Sequence, residues 1–364
     1  MTPEQQSAIR TEAARLLQRF EAAGAARVEA AILQPAEVLL DLYGEDIRGR
    51  AYVTSDPLLG EQMLRPDFTV PVVQTHMAHG AEPACYTYAG PVFRRQETHS
   101  DRASEYTQVG FEVFDRSNPA KSDARVFALF YNELSAFKLR AATGDIGILM
   151  AAVDGLQTMD RRKAALRRHI WRPRRFRALL DRFAGRSPVP KARAALLAAS
   201  DPMANAGPHI GLRSAADVQA RIDILREDAA AAPISGEEVA LIDAILAVRA
   251  TSNNALETLR DIAVDMPAIA ASIARLSARL DALNDQGIDT AKLDFEASYG
   301  RTQMEYYDGF VFGFYAEART DLPPLASGGR YDALTQQLGG GTEIPAVGGV
   351  VRPELLLNLR GGNP

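Results

Sequence analysis

The sequence predicts an α+β fold in which a largely antiparallel sheet, flanked by helices, is interrupted by a helical insertion. Three observations predict this fold. Residues 51–150 alternate β-forming runs with turns, residues 151–290 are rich in Ala, Leu, Arg and Asp, and β-forming runs return in residues 291–364. Segregation of strands from helices favours α+β layers over regular β-α-β alternation. We therefore divide the chain into a discontinuous core domain, residues 1–150 and 291–364, and a helical insertion, residues 151–290.

Composition and charge are those of an ordinary globular protein. Of the 364 residues, 47% are hydrophobic and 24% are charged, and no apolar run approaches the roughly 20 residues that span a bilayer. The N-terminus lacks the basic-then-apolar order of a signal peptide, and the single cysteine, Cys85, excludes an intramolecular disulfide. We expect a cytoplasmic protein. The net charge of −5 argues against a dedicated nucleic-acid binder.

Apolar residues at helical spacing predict the helices. Residues 3–23 place Ile9, Leu16 and Phe20 on one side, and Gly24 ends the segment. A further helix is predicted near residues 122–142. The clearest helix of the insertion follows Pro267, and its single apolar stripe indicates core packing rather than a partner-binding zipper. The stripe steps by 4, 3, 4 and 3 through Ile269, Ile273, Leu276, Leu280 and Leu283.

Residues 93–114 carry the most informative polar side chains. The pattern predicts a strand, a polar loop and a second strand, with Arg94 at the end of the first strand. Gln108 and Glu112 project from one face of the second strand with only Gly110 between them. A bare position between two hydrogen-bonding side chains is typical of the floor of a small-molecule pocket.

Four blocks resemble the histidyl-tRNA synthetase family of class II aminoacyl-tRNA synthetases, in that family's order. The resemblance covers most of residues 1–150 and 290–360 and implies a class II synthetase-like core. The blocks are Pro35-Ala36-Glu37 with the apolar run to Leu42, similar to the dimer-forming first motif; Leu64-Arg65-Pro66-Asp67-Phe68-Thr69, similar to L-R-P-E-x-T; Phe93 to Phe114, similar to the second motif; and Met304-Glu305-Tyr306-Tyr307 with Gly328-Gly329-Arg330-Tyr331-Asp332, similar to two motifs peculiar to the histidine enzyme.

The resemblance implies a pocket for histidine. Asp67, Thr69 and Gln108 would hold the ammonium and carboxylate ends of the amino acid, and Glu112 and Tyr307 would read the imidazole nitrogens. A carboxylate opposite an imidazole N–H gains from a charge-assisted hydrogen bond. The alternative is that Glu112 and Tyr307 are hydrogen-bonded polar residues of the sheet without a ligand. The predicted histidine-binding residues are Asp67, Thr69, Arg94, Gln108, Glu112, Tyr307 and Tyr331.

Local spacing supports two parts of this pocket. Asp67 and Thr69 are two residues apart, so in an extended segment they would face the same way. Tyr307 and Gly309 are predicted to share a strand face with Gly313, and the two glycines would leave room beside the tyrosine.

By the same resemblance, the groups that activate ATP are missing. Thr302 occupies the position of an arginine that drives adenylation, with Arg301 one residue off register, and Leu355 replaces the arginine of the third class II motif. Gln96 replaces an acid of the second motif. Each lost cation would cost about 3–4 kcal/mol of transition-state stabilisation, so we predict no catalytic residues and no synthetase activity. The chain also stops soon after the third motif, so we expect no anticodon-binding domain.

A histidine pocket without adenylating groups resembles the regulatory subunits of ATP phosphoribosyltransferase, the first enzyme of histidine biosynthesis. The resemblance implies a short-form catalytic subunit as partner, a homodimer within a hetero-octamer, and L-histidine as the ligand of feedback regulation. We predict no cofactor, no metal and no membrane contact, and do not expect nucleic acid. Two alternatives stay open: a residual histidine-adenylating enzyme that acts on a non-tRNA carrier, and an RNA-linked histidine sensor.

The RNA alternative depends on the basic segment 161–177, which holds nine basic residues and Trp171. Such a segment is typical of phosphate or RNA binding, but it fits equally a solvated helix face or a contact with a partner subunit. His76 and His79 are near metal-ligand spacing, but no third ligand accompanies them, so zinc is not predicted.

Overall fold

The computed structural model describes residues 2–43, 47–96, 103–204, 206–208, 210–301 and 306–361. The strands are β1 (Ala26–Arg27), β2 (Leu33–Pro35), β3 (Val53–Asp56), β4 (Gly60–Leu64), β5 (Ala84–Phe93), β6 (Glu105–Phe114), β7 (Leu139–Asp145), β8 (Arg249–Thr251), β9 (Asp294–Glu296), β10 (Phe310–Ala316), β11 (Ala326–Arg330) and β12 (Ala346–Val351). The helices are α1 (Pro3–Ala22), α2 (Ala36–Tyr43), α3 (Ile47–Arg50), α4 (Thr69–His79), α5 (Pro119–Glu133), α6 (Ile146–Gly155), α7 (Asp160–Arg168), α8 (Pro173–Phe183), α9 (Lys191–Ala198), α10 (Ala215–Ala230), α11 (Gly236–Ala247), α12 (Ser252–Asp265), the 3₁₀ helix Pro267–Ile269, α13 (Ala270–Asp285), α14 (Asp332–Leu338) and α15 (Pro353–Arg360).

In the part of the chain that the structure describes, the main sheet has nine strands in the order β1-β5-β6-β12-β11-β10-β7-β9-β8. It is a mixed sheet, which corrects the prediction of a largely antiparallel one. Strand β1 pairs in parallel with β5, and β7 pairs in parallel with β9. Both β1 and β9 are two or three residues long, so periodicity along the sequence carries too little signal to reveal their direction.

A second, smaller sheet lies outside the main one, with the order β2-β4-β3. The turn between β3 and β4 is held by Asp56, whose Oδ1 accepts hydrogen bonds from the backbone N–H groups of Leu58 and Leu59, both at 2.8 Å. Gly60 closes the turn with φ of 77°, a conformation that favours glycine. The two leucine side chains are exposed at its tip.

Helices α1 and α5 cover one face of the main sheet. Phe20 of α1 packs against Phe111 of β6 at a ring distance of 5.6 Å, and Phe130 of α5 packs against Phe312 of β10 at 5.8 Å. Successive residues on a strand point to opposite faces of the sheet, and residues two apart share a face. Gln108 and Glu112 therefore lie on the face opposite Phe111. Helix α4 packs on that second face, because Thr69 at its start contacts Glu112.

One helix prediction is confirmed, and another is wrong in its second half. The predicted helix 3–23 is α1, which begins with a reciprocal cap between Thr2 and Gln5 and is followed by Gly24 at φ of 96°. The predicted helix near 122–142 is wrong in its second half: α5 ends at Glu133, and Leu139–Asp145 forms β7. That segment pairs with β10, and this tertiary pairing decides its conformation.

The insertion is helical from α7 to α13, with β8 as a three-residue strand that joins the main sheet beside β9. The apolar stripe is buried, as predicted for core packing. Arg279 of α13 anchors the insertion by pairing with Asp145 at 2.7 Å and Asp123 at 3.3 Å. No helix within the described ranges is long and apolar enough to cross a membrane.

Candidate functional site

A buried carboxylate, Glu112, lies at the centre of the site. Its Oε1 accepts hydrogen bonds from the Tyr88 hydroxyl at 2.7 Å and the Thr69 hydroxyl at 3.3 Å, and its Oε2 accepts one from the Tyr331 hydroxyl at 2.6 Å. Burial raises the pKa of Glu112 to about 7, although these three hydroxyl donors act in the opposite direction. The carboxyl group therefore changes charge near neutral pH.

Two buried acceptor atoms of the predicted binding residues lack a hydrogen-bond partner among the described residues. They are Oδ2 of Asp67 and Oε1 of Gln108, and both side chains are almost fully buried. Buried polar atoms are almost always paired, because an unpaired one costs about 1–3 kcal/mol. A buried acceptor without a protein partner is one that a bound donor, such as an ammonium group, would satisfy.

Asp67 and Thr69 reach the site by a different route from the predicted extended segment. Thr69 is the first residue of α4, and Phe68 before it is already helical, with φ of −99° and ψ of −17°. The Oδ1 atom of Asp67 accepts a hydrogen bond from the N–H of Val70 at 3.3 Å, so Asp67 caps the first turn of the helix. The prediction of an extended segment is wrong because this cap favours a helix.

Arg94 lies beside Asp67 after the end of β5. Its Nε donates to the carbonyl oxygen of Pro66 at 2.9 Å. Burial raises the pKa of Asp67, and the positive charge of Arg94 acts against this rise. Arg94 and Arg352 also lie near the ring of Tyr106, at 6.0 and 5.8 Å from its centroid.

Three tyrosines line the site opposite α4. Tyr306 packs edge-on against Tyr307 at 4.8 Å and Tyr331 at 6.1 Å, and its hydroxyl donates to the Thr69 hydroxyl at 3.3 Å. Burial raises the pKa of Tyr307, whose side chain lies next to Gly329. Thr69 and Tyr331 therefore contact the Glu112 carboxylate, and Asp67 and Tyr307 lie close enough to interact with its charge. Of the other two predicted histidine-binding residues, Arg94 acts on Asp67 and Gln108 lies on the same face of β6 as Glu112.

The predicted room beside Tyr307 is used by other side chains. Tyr307 precedes β10, which begins at Phe310, so it does not share a strand face with Gly313. The space over Gly313 is taken by the hydroxyl of Tyr299, and that over Gly309 by the side chain of Arg330. The prediction failed because it assigned the strand three residues too early.

Sequence reasoning missed Tyr88 and Gly348. The ring of Tyr88 fills the space over Gly110, where a Cβ atom would lie 2.1 Å from it, so the predicted bare floor is covered. A Cβ atom at Gly348 would lie 1.4 Å from Oε2 of Glu112, so this strand position must be glycine. The register pairs Tyr88 with Gly110, and Gly348 with Glu112. In each of these strand pairs a glycine lies opposite a large polar or aromatic residue. The two strand glycines were the signal available in the sequence.

His76 takes part in core packing. Its ring stacks on Phe114 at 4.0 Å, and its Nδ1 lies 3.0 Å from the hydroxyl of Tyr86. Elsewhere, a surface groove of about 540 Å³ lies between α12 and α13 and is lined by Arg260, Ile273 and several alanines. The groove shares no lining residue with the Glu112 site.

The chain resembles known proteins over most of its length. The family model described as histidyl-tRNA synthetase matches residues 1–227 and 211–356. An ATP phosphoribosyltransferase regulatory subunit from Brucella anthropi is 33% identical over 342 residues, covering 88% of this chain and 89% of the relative. The chain belongs to this regulatory-subunit branch of the histidyl-tRNA synthetase family. A regulatory subunit of the same name from Brucella canis is 32% identical over 345 residues, with the same coverage.

Solved structures share the fold. A protein from Bacillus halodurans, described as an ATP phosphoribosyltransferase regulatory subunit/histidyl-tRNA synthetase, gives a TM-score of 0.70 at 20% identity and covers 98% of this chain and 80% of its own. A histidine–tRNA ligase subunit from Alicyclobacillus acidocaldarius gives 0.62 at 22% identity, covering 99% and 95%. The class II synthetase-like core is confirmed by these likenesses.

Membership in the regulatory-subunit branch gives the chain a regulatory, non-catalytic role in histidine biosynthesis. Thr302, the residue predicted to replace an adenylating arginine, lies outside the described residues, together with Gln303, Met304 and Glu305. Arg301 is described, and it faces the insertion: its Nε donates to the carbonyl oxygen of Ile170 at 2.9 Å.

Proposed function

We propose that this regulatory subunit binds L-histidine at the Glu112 site and transmits its presence to a short-form ATP phosphoribosyltransferase catalytic subunit. The pair would then provide activity and feedback control of the first step of histidine biosynthesis. The proposed ligand residues are those predicted from the sequence: Asp67, Thr69, Arg94, Gln108, Glu112, Tyr307 and Tyr331.

The two unpaired acceptors carry this proposal. We propose that the α-ammonium group, which has three N–H donors and no acceptor, pairs with Oδ2 of Asp67 and Oε1 of Gln108. The Asp67 charge would also favour the ammonium over a neutral donor. We propose that the Arg94 guanidinium, whose charge acts on Asp67, binds the α-carboxylate.

The Glu112 carboxylate suits an imidazole. Each carboxylate oxygen can accept about two hydrogen bonds, and Oε2 accepts one, from Tyr331. An imidazole N–H could therefore be added without displacing Tyr331. Tyr88 and Thr69 hold the opposite oxygen, so the carboxylate is oriented before the ligand arrives.

We also propose that the site has lost its adenylating arginines. Leu355 lies on α15 and packs against the core, and a leucine cannot bind a phosphate. The neighbouring Arg352 donates a hydrogen bond to the carbonyl oxygen of Pro324, which engages its guanidinium with the protein. The sequence has Thr302 at the position of the second adenylating arginine, and threonine carries no positive charge.

The assembly we propose is a hetero-octamer in the cytoplasm that contains homodimers of this chain. The relatives' name, regulatory subunit of a phosphoribosyltransferase, supports the catalytic partner. The homodimer is proposed to form around the segment near Pro35–Leu42, which resembles a dimer-forming motif, and an exposed apolar surface on the adjoining small sheet supports it.

The test is to purify the chain with the phosphoribosyltransferase catalytic subunit of the same organism. We expect a stable complex that is active only when both chains are present, and calorimetric binding of histidine to the isolated regulatory chain. Absence of a complex would contradict the partner proposal. A complex whose regulatory chain does not bind histidine would contradict the site. Histidine-dependent ATP–pyrophosphate exchange would favour the adenylating alternative.

A further inference from the structure

Four of the nine basic residues in segment 161–177 form ion pairs with carboxylates elsewhere in the described chain. Arg162 pairs with Asp228 at 2.7 Å, Arg161 with Glu227 at 3.2 Å, and Arg167 with Asp154 at 3.0 Å; Arg177 pairs with Asp243. These pairs give four of the nine basic residues a structural role.

Three exposed arginines remain at the turn between α7 and α8. Arg168 ends α7, and Arg174 and Arg175 lie in the first turn of α8; they form no ion pair with any residue that the structure describes. We call these three residues the arginine turn. Because they lie within eight residues around one helix–helix turn, their charges add on a single small surface.

The arginine turn is electrostatically unfavourable in the isolated chain. The N-terminus of a helix carries partial positive charge, so cations there are repelled, at a cost of about 0.3–1 kcal/mol each. Helix α8 has no acidic residue in its first turn and no side-chain hydrogen bond at its N-cap. An anionic group placed on this turn would remove both the repulsion between arginines and that with the helix.

A buried cation lies against the same turn. The guanidinium of Arg301 is 4.9 Å from the ring of Phe176 in the first turn of α8, and its buried Nη2 has no hydrogen-bond partner among the described residues. Burial alone lowers the pKa of Arg301 to about 10. This buried positive charge adds to the positive field of the arginine turn.

The turn is also joined to the Glu112 site. Trp171 lies in the connection between α7 and α8, among the residues of the arginine turn, and its indole Nε1 donates to the backbone carbonyl oxygen of Tyr307 at 3.2 Å. Arg301 likewise joins the core to the turn through its hydrogen bond to Ile170. A partner that binds the arginine turn would therefore lie next to Trp171, whose indole holds the Tyr307 backbone.

We propose that the arginine turn is the docking surface for an acidic face of the catalytic subunit, which deepens the proposed function and depends on it. Charge complementarity supports a protein partner over nucleic acid. The arginines are few, and Asp154 lies beside them, paired with Arg167, so a continuous phosphate backbone that crosses the turn would meet a carboxylate. A folded protein can present its carboxylates to this small surface alone.

The experiment compares assembly of the wild-type chain with that of R168E/R174E/R175E, titrated with the purified catalytic subunit. The reversed variant should bind at least about 10-fold more weakly at low salt, and the difference should shrink as salt screens the charges. Arg10→Glu, a reversal of an exposed arginine on α1, is the matched control and should assemble as wild type does. The Gln triple variant, R168Q/R174Q/R175Q, should lie between wild type and the Glu triple variant.

Histidine binding to the isolated chain separates a failure of the docking surface from a failure of the proposed regulatory function. All three variants should bind histidine as the wild type does, because none of the altered residues contacts the site. Equal assembly of wild type and both triple variants would overturn the docking surface while leaving the regulatory function intact. A wild-type chain that never assembles would overturn both. Tight binding of duplex RNA by wild type, lost in the Glu triple variant, would overturn the protein partner in favour of nucleic acid.

Discussion

The Tyr331 hydroxyl donates to Oε2 of Glu112 across 2.6 Å, at the strand position where Gly348 leaves room for the carboxylate. This contact joins two sequence blocks more than 200 residues apart. It also orients a carboxyl group whose pKa is raised to about 7.

Stability should fall as pH rises through the range between about 4.5 and 7. Glu112 has an ordinary pKa of 4.5, raised to about 7 by burial, and Asp308 is raised from 3.8 to about 7 by burial and by the nearby Asp332 charge. In this range the folded chain holds protons that the unfolded chain has released, so rising pH favours unfolding. We expect Glu112 to contribute a loss of about 1–3 kcal/mol. Denaturant titrations at pH 5 and pH 8 should show a smaller difference for Glu112→Gln than for wild type; an equal difference would contradict the raised pKa.

Asp67 should select ligands that carry an ammonium group. The wild-type chain should bind histidine much more tightly than imidazolepropionate, which lacks the amine, and Asp67→Asn should reduce this preference by 10- to 100-fold, or about 1.5–3 kcal/mol. Calorimetric titration with both ligands measures the change. Asp265→Asn, at an exposed position at the end of α12, is the control and should keep the wild-type preference. If Asp67→Asn keeps the wild-type preference for histidine over imidazolepropionate, the ammonium group binds at another residue.

The isolated chain should be a homodimer at micromolar concentration. The small sheet and its turn expose an apolar surface, and burying one leucine side chain contributes about 1.5–3 kcal/mol. Leu33→Asp should therefore weaken the dimer at least about 10-fold in sedimentation experiments. Val264→Asp, at a similarly exposed apolar position on α12, should remain dimeric. A monomeric wild type would exclude the interface. The surface comprises Ile32, Leu33, Tyr52, Val53, Leu58 and Leu59.

The chain should not catalyse histidine-dependent ATP–pyrophosphate exchange. Leu355 and Thr302 occupy the positions of two activating arginines, and loss of each would lower the rate by roughly 10²–10³-fold. A histidyl-tRNA synthetase assayed in parallel provides the positive control. Exchange that persists after removal of contaminating synthetase would show that the chain is an adenylating enzyme.

The sequence predicted the parts of the site that depend on short-range pattern. The strand pair that presents Gln108 and Glu112 follows from alternation and from turn residues, which act locally. Tyr88 could not be found in this way, because its place over Gly110 depends on the register of two strands. The start of α4 at Thr69 depends on capping by Asp67, and β8 is too short to show periodicity. The places of Tyr88 and β8 reflect tertiary contacts that local propensity does not encode, whereas the cap between Asp67 and Val70 is a local signal that was overlooked.

The most direct test of the account is the histidine inhibition curve of the assembled phosphoribosyltransferase that contains Glu112→Gln. Assembly and uninhibited rate are measured first, and Glu105→Gln, at the exposed start of the same strand, is the matched control. We predict that Glu112→Gln assembles with a nearly unchanged uninhibited rate and needs 10- to 100-fold more histidine for half inhibition, a loss of about 1.5–3 kcal/mol. An inhibition curve that superimposes on those of wild type and Glu105→Gln would show that histidine acts at another site.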